Sequence, residues 1–402
     1  MGTVASLLLE AVVWGGLASV AYAYLGYPVL LVALDGWREL RGNLRRLRRG
    51  SERRRPPSSL EPPHVSLVVA AFDEEAVIRE KIENCLALDY PPDRLEILIG
   101  SDGSTDGTDA IVRSYAFRGV VLSRAPRSGK AQVLNRLIPM AKGDVVVLSD
   151  ANTMLRADAV RRLVARLDAP QVGAVCGRLD LVTAGGEPSR EGPYWSYESL
   201  LKLYEGKLGC VVGANGGLYA IQRRLFQPLP PGTITDDFVI PLRILAAGWQ
   251  VVYEPAAVAA EEAPAEGPTE FRRRVRIGAG NLQSLGLLGA LARGPRPFAA
   301  LAFVSHKLLR WLAPFFLAAA LAGSFALWRQ PLVRAALVAQ LAFYAAALRG
   351  SLGASKGPFG RACALAHHFV SMNLALAVGA FRQLRHGQSA AWERTPRHSI
   401  GG

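Results

Sequence analysis

The chain has 402 residues, half of them hydrophobic, four cysteines and a formal net charge of +14. That length holds one large domain and more besides, and so apolar a composition speaks against a wholly soluble protein. Cys85, Cys176, Cys210 and Cys363 form no CxxC pair, which argues against a zinc site and against a disulfide framework.

In chain order, Val4 to Leu34 is almost entirely apolar, with Glu10 the only charge before Asp35, and is long enough to cross a bilayer with some tilt. It lacks an early basic region and a small-residue cleavage site, so residues 1–36 are expected to form an anchor rather than a removed leader. Trp14, Tyr22, Tyr24 and Tyr27 suit the membrane interfaces. An arginine cluster follows, from Arg38 through Arg41, Arg45, Arg46, Arg48 and Arg49 to Arg53, Arg54 and Arg55. Next to a span, such a cluster favours the cytoplasmic side and anionic lipid, and a nucleic-acid partner is set aside. With Pro56, Pro57, Pro62 and Pro63, residues 37–63 read as a basic, stiff linker.

Residues 64–262 have the pattern of an α/β domain. Expected strands are Val65–Ala71, Leu95–Gly100, Val120–Leu122, Asp144–Leu148 and Val172–Arg178. Expected helices are Glu74–Leu88, Asp109–Tyr115, Lys130–Ala141 and Ala157–Leu167. Such alternation implies βαβ units and a mixed, mostly parallel, Rossmann-like sheet, which binds ligands at the carboxyl ends of its strands.

Acidic clusters stand at those strand ends. Asp73, Glu74 and Glu75 close the first strand; they suit the positive end of a helix, or Asp73 and Glu75 hold a nucleoside. Asp102 ends the second strand, either as ordinary turn chemistry before Gly103-Ser104-Thr105 or as an acceptor for base or ribose. Lys130 opens a helix where a phosphate is well received, although no Walker A loop is present. Asp150 and Asn152 follow the Val145–Leu148 run and offer oxygen ligands to a hard divalent cation completed by substrate phosphates. Asp236 and Asp237 are adjacent, so their repulsion raises the proton affinity of one of them, as a general base requires; Thr235 or Asp236 also suits a helix cap. Asn215 and Gly216 lie in a permissive Gly213–Gly217 segment able to approach an acceptor. Trp195, Tyr197 and Tyr204 suit either sugar stacking or core packing.

Residues 263–297 carry Phe271-Arg272-Arg273-Arg274-Val275-Arg276-Ile277, a basic amphipathic pattern for a membrane surface or a clamp for a diphosphate leaving group. In residues 298–382 three apolar stretches, Leu308–Trp328, Leu332–Leu348 and Cys363–Phe381, are expected membrane segments, with His306, Lys307 and Arg310 marking the headgroup level. Residues 383–402 form a basic tail.

Taken in order, these clusters resemble the membrane-bound family 2 glycosyltransferases with a GT-A catalytic domain, above all the cellulose, hyaluronan and poly-N-acetylglucosamine synthases. The resemblance covers residues 64–311 and extends to Trp392–Arg397. It implies that Asp73 and Asp102 bind the nucleoside, that Lys130 contacts the nucleotide, and that Asp150-Ala151-Asn152 is the D-x-D motif for Mg2+ or Mn2+. It further implies that Asp237 deprotonates the acceptor, that Gly213–Gly217 forms the acceptor-side loop, and that Arg273 to Ile277 takes the place of the Q/R-x-x-R-W motif. Three residues depart from the pattern: Asn152 replaces the second metal Asp, Ser101 replaces a first Asp, and Ile277 replaces a Trp associated with chain retention.

The resulting expectation is an inverting transfer from a nucleotide sugar, UDP-linked by this resemblance, to a saccharide acceptor at the membrane, in polysaccharide synthesis. Transfer of one sugar to a lipid is the alternative, and a non-catalytic nucleotide-sugar binder a third; an accessory subunit is left open. The positive-inside rule puts the amino terminus outside and the catalytic domain in the cytoplasm. Three further spans then leave the tail outside, against the preference of Arg382, Arg385, Arg394 and Arg397. One apolar segment is therefore interfacial or re-entrant, or the rule is broken here.

Overall fold

The computed structural model describes residues 3–49, 61–183, 192–263, 268–353 and 357–385. Pro56, Pro57 and Trp392–Arg397 lie outside them. The described residues form two compact units: residues 31–263 with 284–302, and residues 3–30 with 268–283 and 303–385.

The first unit is built on one eight-stranded sheet. Its strands are β1 (Val65–Ala71), β2 (Leu95–Asp102), β3 (Val120–Ala125), β4 (Val145–Asp150), β5 (Thr153–Leu155), β6 (Val172–Val182), β7 (Tyr219–Gln222) and β8 (Gln250–Glu262). Their order is β3-β2-β1-β4-β7-β6-β8-β5. β1 pairs in parallel with both β2 and β4, and β2 with β3. Every residue of β1 is buried, as an apolar β-branched run covered on both faces should be. Beyond β4 the sheet is mixed: β7 runs antiparallel to β4 and β6, while β6 and β8 are parallel.

The mixed, mostly parallel sheet matches the sequence expectation, although β5, β7 and β8 were not expected as individual strands. β2 also runs on to Asp102, and the first helix is shorter than expected, Ile78–Leu86. The reason is local. The backbone N–H groups of Glu74 and Glu75 are held by Thr108 Oγ1 at 2.9 Å and Asp106 Oδ2 at 3.1 Å, which keeps these two residues out of the helix.

The basic linker is also partly helical, since a helix continues from Tyr27 to Arg49. Among the described residues, four helices are long and apolar enough to cross a membrane: Val4–Leu44, Pro297–Ala326, Pro331–Ser351 and Pro358–Arg385.

In the second unit, the helix Pro268–Gln283 packs on Pro358–Arg385 at bare glycines, since a Cβ on Gly278 would sit 3.2 Å from the Leu376 backbone. Small residues permit this approach of two helix backbones. Two π-helical turns, Tyr22–Gly26 and Phe303–Leu308, meet where Tyr22 Oη and Ser305 Oγ share a hydrogen bond of 2.9 Å. His306 and Arg310 are buried, at 0% and 6% exposure. Both sit in the helix packing, His306 beside the Tyr27 ring and Arg310 over that of Tyr24.

Candidate active site

The acids of β4 and of the helix Asp236–Ala246 come together at one glycine. A Cβ on Gly216 would sit 3.2 Å from Asp237 Oδ2 and 3.4 Å from Asp150 Oδ2. The two carboxylates therefore face each other across an α-carbon that carries no side chain. Lys130, at the start of its helix, places Nζ 2.7 Å from Asp150 Oδ1 and 3.4 Å from Asp236 Oδ2. Three acids and one ammonium share the carboxyl-end edge of the sheet, where open α/β sheets bind ligands.

The local sequence explains how Asp237 is held. Pro241 lies inside the helix Asp236–Ala246 and has no N–H for the carbonyl four residues earlier. That carbonyl belongs to Asp237, and it accepts instead from Ala214 N at 2.9 Å. A helix-breaking residue thus ties Asp237 to the glycine loop. Gly213 adopts φ +92° there, and a Cβ on it would meet the Phe238 ring at 2.6 Å.

Burial pushes the Asp237 carboxyl up to about 6, and the charge of Asp236 adds to the effect; Lys130 and Lys202 oppose it. Burial likewise raises Asp236 above its ordinary value, with Lys130 opposing. Burial works against the Lys130 charge, yet Asp150, Asp236 and Asp237 outweigh it and hold the ammonium above its usual range.

Asp73 and Glu75 lie at the same edge as a bridge between loops. Asp73, in the left-handed region at φ 51°, accepts from Thr105 N at 2.7 Å, and Glu75 accepts from Gly107 N at 3.1 Å. A non-glycine residue held there is a strained position of the kind that clusters at functional sites. Asp102 ends β2. It is fully buried, and its oxygens accept from Ser128 N at 2.6 Å and Gly129 N at 2.9 Å, so it anchors the loop in front of Lys130.

Asn215 is buried and braces the glycine loop: Nδ2 donates to Gly177 O at 2.8 Å, and Oδ1 accepts from Lys202. Trp195 packs against the hydrophobic core, the alternative its sequence position left open. Arg273 and Arg276 belong to the second unit, where Glu270 pairs with Arg273 at 3.4 Å and with Arg274 at 2.5 Å.

Sequence reasoning missed Lys81. It is fully buried and donates to Ser149 Oγ at 2.7 Å and to Thr153 O at 2.5 Å. Ser149 Oγ in turn donates to Gly217 O at 2.8 Å. A buried ammonium thus fastens both ends of the Asp150–Asn152 turn and, through Ser149, the glycine loop. The signal was present: position 81 falls on the helix face of Ile78, Ile82 and Cys85, all buried.

Among the described residues no three His, Cys, Asp or Glu side chains cluster as a metal cage, so any cation here takes few protein ligands. The donors present do fit Mg2+ or Mn2+: the Asp150 carboxylate lies two residues from Asn152 Oδ1, a buried oxygen with no hydrogen-bond partner. A cavity of about 940 Å3 opens at the other end of the strands, beside Pro63, Val145 and Phe226, and holds none of these groups.

Residues 66–225 match the Glycosyl transferase family 2 model. The chain is 28% identical over 245 residues to the probable glycosyltransferase YdaM of Bacillus subtilis, covering 55% of this chain and 56% of that protein. It is 32% identical over 206 residues to the beta-monoglucosyldiacylglycerol synthase of Synechocystis sp., covering 48% and 43%. The chain thus spans about half the length of these curated relatives. A mannosyltransferase from Pyrobaculum calidifontis, solved with GDP-Man and Mn2+, superposes with a TM-score of 0.68 at 25% identity, over 94% of this chain and 100% of that one. Residues 66–225 therefore match a family 2 glycosyltransferase domain, and the fold is that of the GT-A glycosyltransferases.

Proposed function

We propose that the chain transfers a sugar, with inversion, from a nucleoside diphosphate donor to a hydroxyl of a saccharide or lipid acceptor at the membrane. The observation that carries this reading is the pair Asp150 and Asp237 facing each other across Gly216. A hydroxyl entering that gap meets a carboxylate whose proton affinity, about 6, suits a base working near neutrality. Asp237 takes the proton as the hydroxyl oxygen bonds to the anomeric carbon, and the diphosphate departs from the opposite face with the electron pair of the broken bond. No covalent enzyme intermediate is needed, and inversion follows from the single displacement.

Lys130 supplies positive charge on the Asp150 side, and Asp236 holds that ammonium in place. The loops tied by Asp73, Glu75 and Asp102 form the nucleoside side. A bound Mg2+ or Mn2+, held by Asp150 and Asn152, would neutralise the leaving diphosphate. Arg273 and Arg276 are assigned to the same leaving group, and Asn215, Gly216 and Trp195 to the acceptor side.

The resemblance to polymer-forming synthases supports a saccharide acceptor and a UDP-linked donor. The lipid acceptor in the name of the Synechocystis relative supports single transfer to lipid, and the GDP-Man in the Pyrobaculum structure puts guanosine donors in the test. Four apolar helices and the arginine cluster support an integral membrane protein with its catalytic domain in the cytoplasm; a reporter fused after Gly402 reports the side of the tail. Purified protein incubated with labelled UDP- and GDP-sugars should release the nucleoside diphosphate. Asp237→Asn should bind the donor yet transfer nothing, and near wild-type turnover in that variant overturns the mechanism. Chromatography separates a polymer from a singly glycosylated lipid.

A further inference from the structure

Asn152 stands where the family pattern has a second carboxylate, and the structure supplies a carboxylate from elsewhere. Asn152 Nδ2 donates to Glu261 Oε1 at 2.9 Å. Both residues are buried, at 5% and 8% exposure. Glu261 comes from β8, where the β5–β8 ladder sets it opposite Thr153; sheet register brings the two together across 109 residues. Among the described residues Glu261 has no ion-pair partner.

A carboxamide has one end that only donates and one that only accepts, whereas an ionised carboxylate only accepts. Glu261 therefore admits one orientation of the Asn152 amide. The nitrogen faces Glu261 and the oxygen is turned away from it. That oxygen, Oδ1, is buried with no hydrogen-bond partner, a costly state for an acceptor unless a cation or donor completes it. A buried carboxylate without a basic neighbour is costly for the same reason.

We infer that Glu261 is a positioning residue for the divalent cation: it fixes Asn152 Oδ1 as a ligand and, through the amide, supplies from β8 the negative charge that position 152 lacks. This rests on the proposed reading of Asp150 and Asn152 as cation ligands. Partners that orient a ligand typically change metal affinity by about 10- to 100-fold. The pair also has a reversed form. When Asn152→Asp is combined with Glu261→Gln, the amide on β8 donates and the carboxylate after β4 accepts, leaving one carboxylate oxygen for the cation at unchanged total charge.

The test is Mn2+ binding to the purified full-length protein, read from the electron paramagnetic resonance of free Mn2+, with UDP or GDP present and no turnover required. Glu261→Gln should weaken Mn2+ binding about 10- to 100-fold, Asp150→Asn should remove it, and the double variant should return to within a few-fold of wild type. Wild-type affinity in Glu261→Gln, or a double variant no better than the single, overturns the inference while the loss in Asp150→Asn leaves the site standing. A wild-type protein that binds no Mn2+ overturns the underlying reading instead. If Glu261→Gln does not fold, the double variant decides alone: restored binding supports the reversed pair, and weakened binding refutes it.

Discussion

Gly216→Ala separates catalysis from folding more cleanly than any change to a charged group. Gly216 is not among the glycines with positive φ, so alanine can adopt its backbone. The loss of backbone freedom in the unfolded chain would stabilise the variant by about 0.4–1 kcal/mol. Opposing this, the new methyl lies 3.2 Å from Asp237 Oδ2 and 3.4 Å from Asp150 Oδ2, so the carboxylates must move apart by a few tenths of an ångström. The net effect on stability is within about 1 kcal/mol of zero. The effect on chemistry is larger, because the methyl fills the gap in which the acceptor hydroxyl meets its base. A misplacement of about 1 Å costs on the order of 100-fold in rate, or about 2.7 kcal/mol of barrier. The assay pairs a thermal melt with nucleoside diphosphate release at saturating donor. Gly213→Ala is the contrast, since φ +92° and a clash with Phe238 at 2.6 Å predict a lower melting temperature. A Gly216→Ala enzyme with an unchanged melt and turnover within threefold of wild type would show that the reaction does not occur between Asp150 and Asp237.

The pH profile should follow Asp237. With its carboxyl at about 6, kcat/KM should fall roughly tenfold per pH unit below that value and level off above it; a flat profile through this range assigns the proton to another group. The same shift has a consequence for stability. The folded carboxyl holds its proton more tightly than the unfolded one, so stability falls as pH rises from about 4 through about 6. Asp237→Asn should therefore melt above wild type at neutral pH and close to it in acid, and the opposite order would contradict the raised value. Lys81→Met strips the donor from Ser149 Oγ and Thr153 O, a loss of about 1–3 kcal/mol for each group left unsatisfied. Both the melt and turnover should drop, whereas a variant equal to wild type in both would remove Lys81 from the support of the site. Arg276→Ala should lower turnover more than stability, and an unchanged rate returns its helix to a lipid-surface role.

The parallel half of the sheet was legible because β1, β2 and β4 are rich in β-branched and apolar residues, broken inside the runs only by Ser66 and Glu96, a pattern that burial on both faces favours. The other half was not. β5 has three residues and β7 four, too few for a period to show, and β8 carries Pro255 and an alanine-rich stretch that reads as neither strand nor helix. The candidate site acids were legible as types and positions, since a strand end is where such a sheet presents side chains. Which of them faces the gap was not. Asp102 and Asp150 both end parallel strands, yet one anchors a loop by accepting backbone N–H groups and the other looks across Gly216. A strand end places an acid at the edge; the loop folded over it decides what its oxygens meet.

The least legible parts are those that depend on a partner far along the chain, and they also govern the geometry of the site. Asn152 read alone is a weakened metal motif, but beside Glu261 it is half of a charged pair, and that pairing exists only through the β5–β8 register. Pro241 was the opposite case, a signal present within five residues. A proline four positions after Asp237, inside a helix, frees the Asp237 carbonyl, and a freed carbonyl on a buried turn must find a donor. The donor is Ala214 N, from the loop that also carries Gly216. The residue that breaks the helix ladder thus lets Asp237 bond to the loop that carries Gly216. Restoring the N–H with alanine would let the helix compete for that carbonyl and loosen the loop from the base.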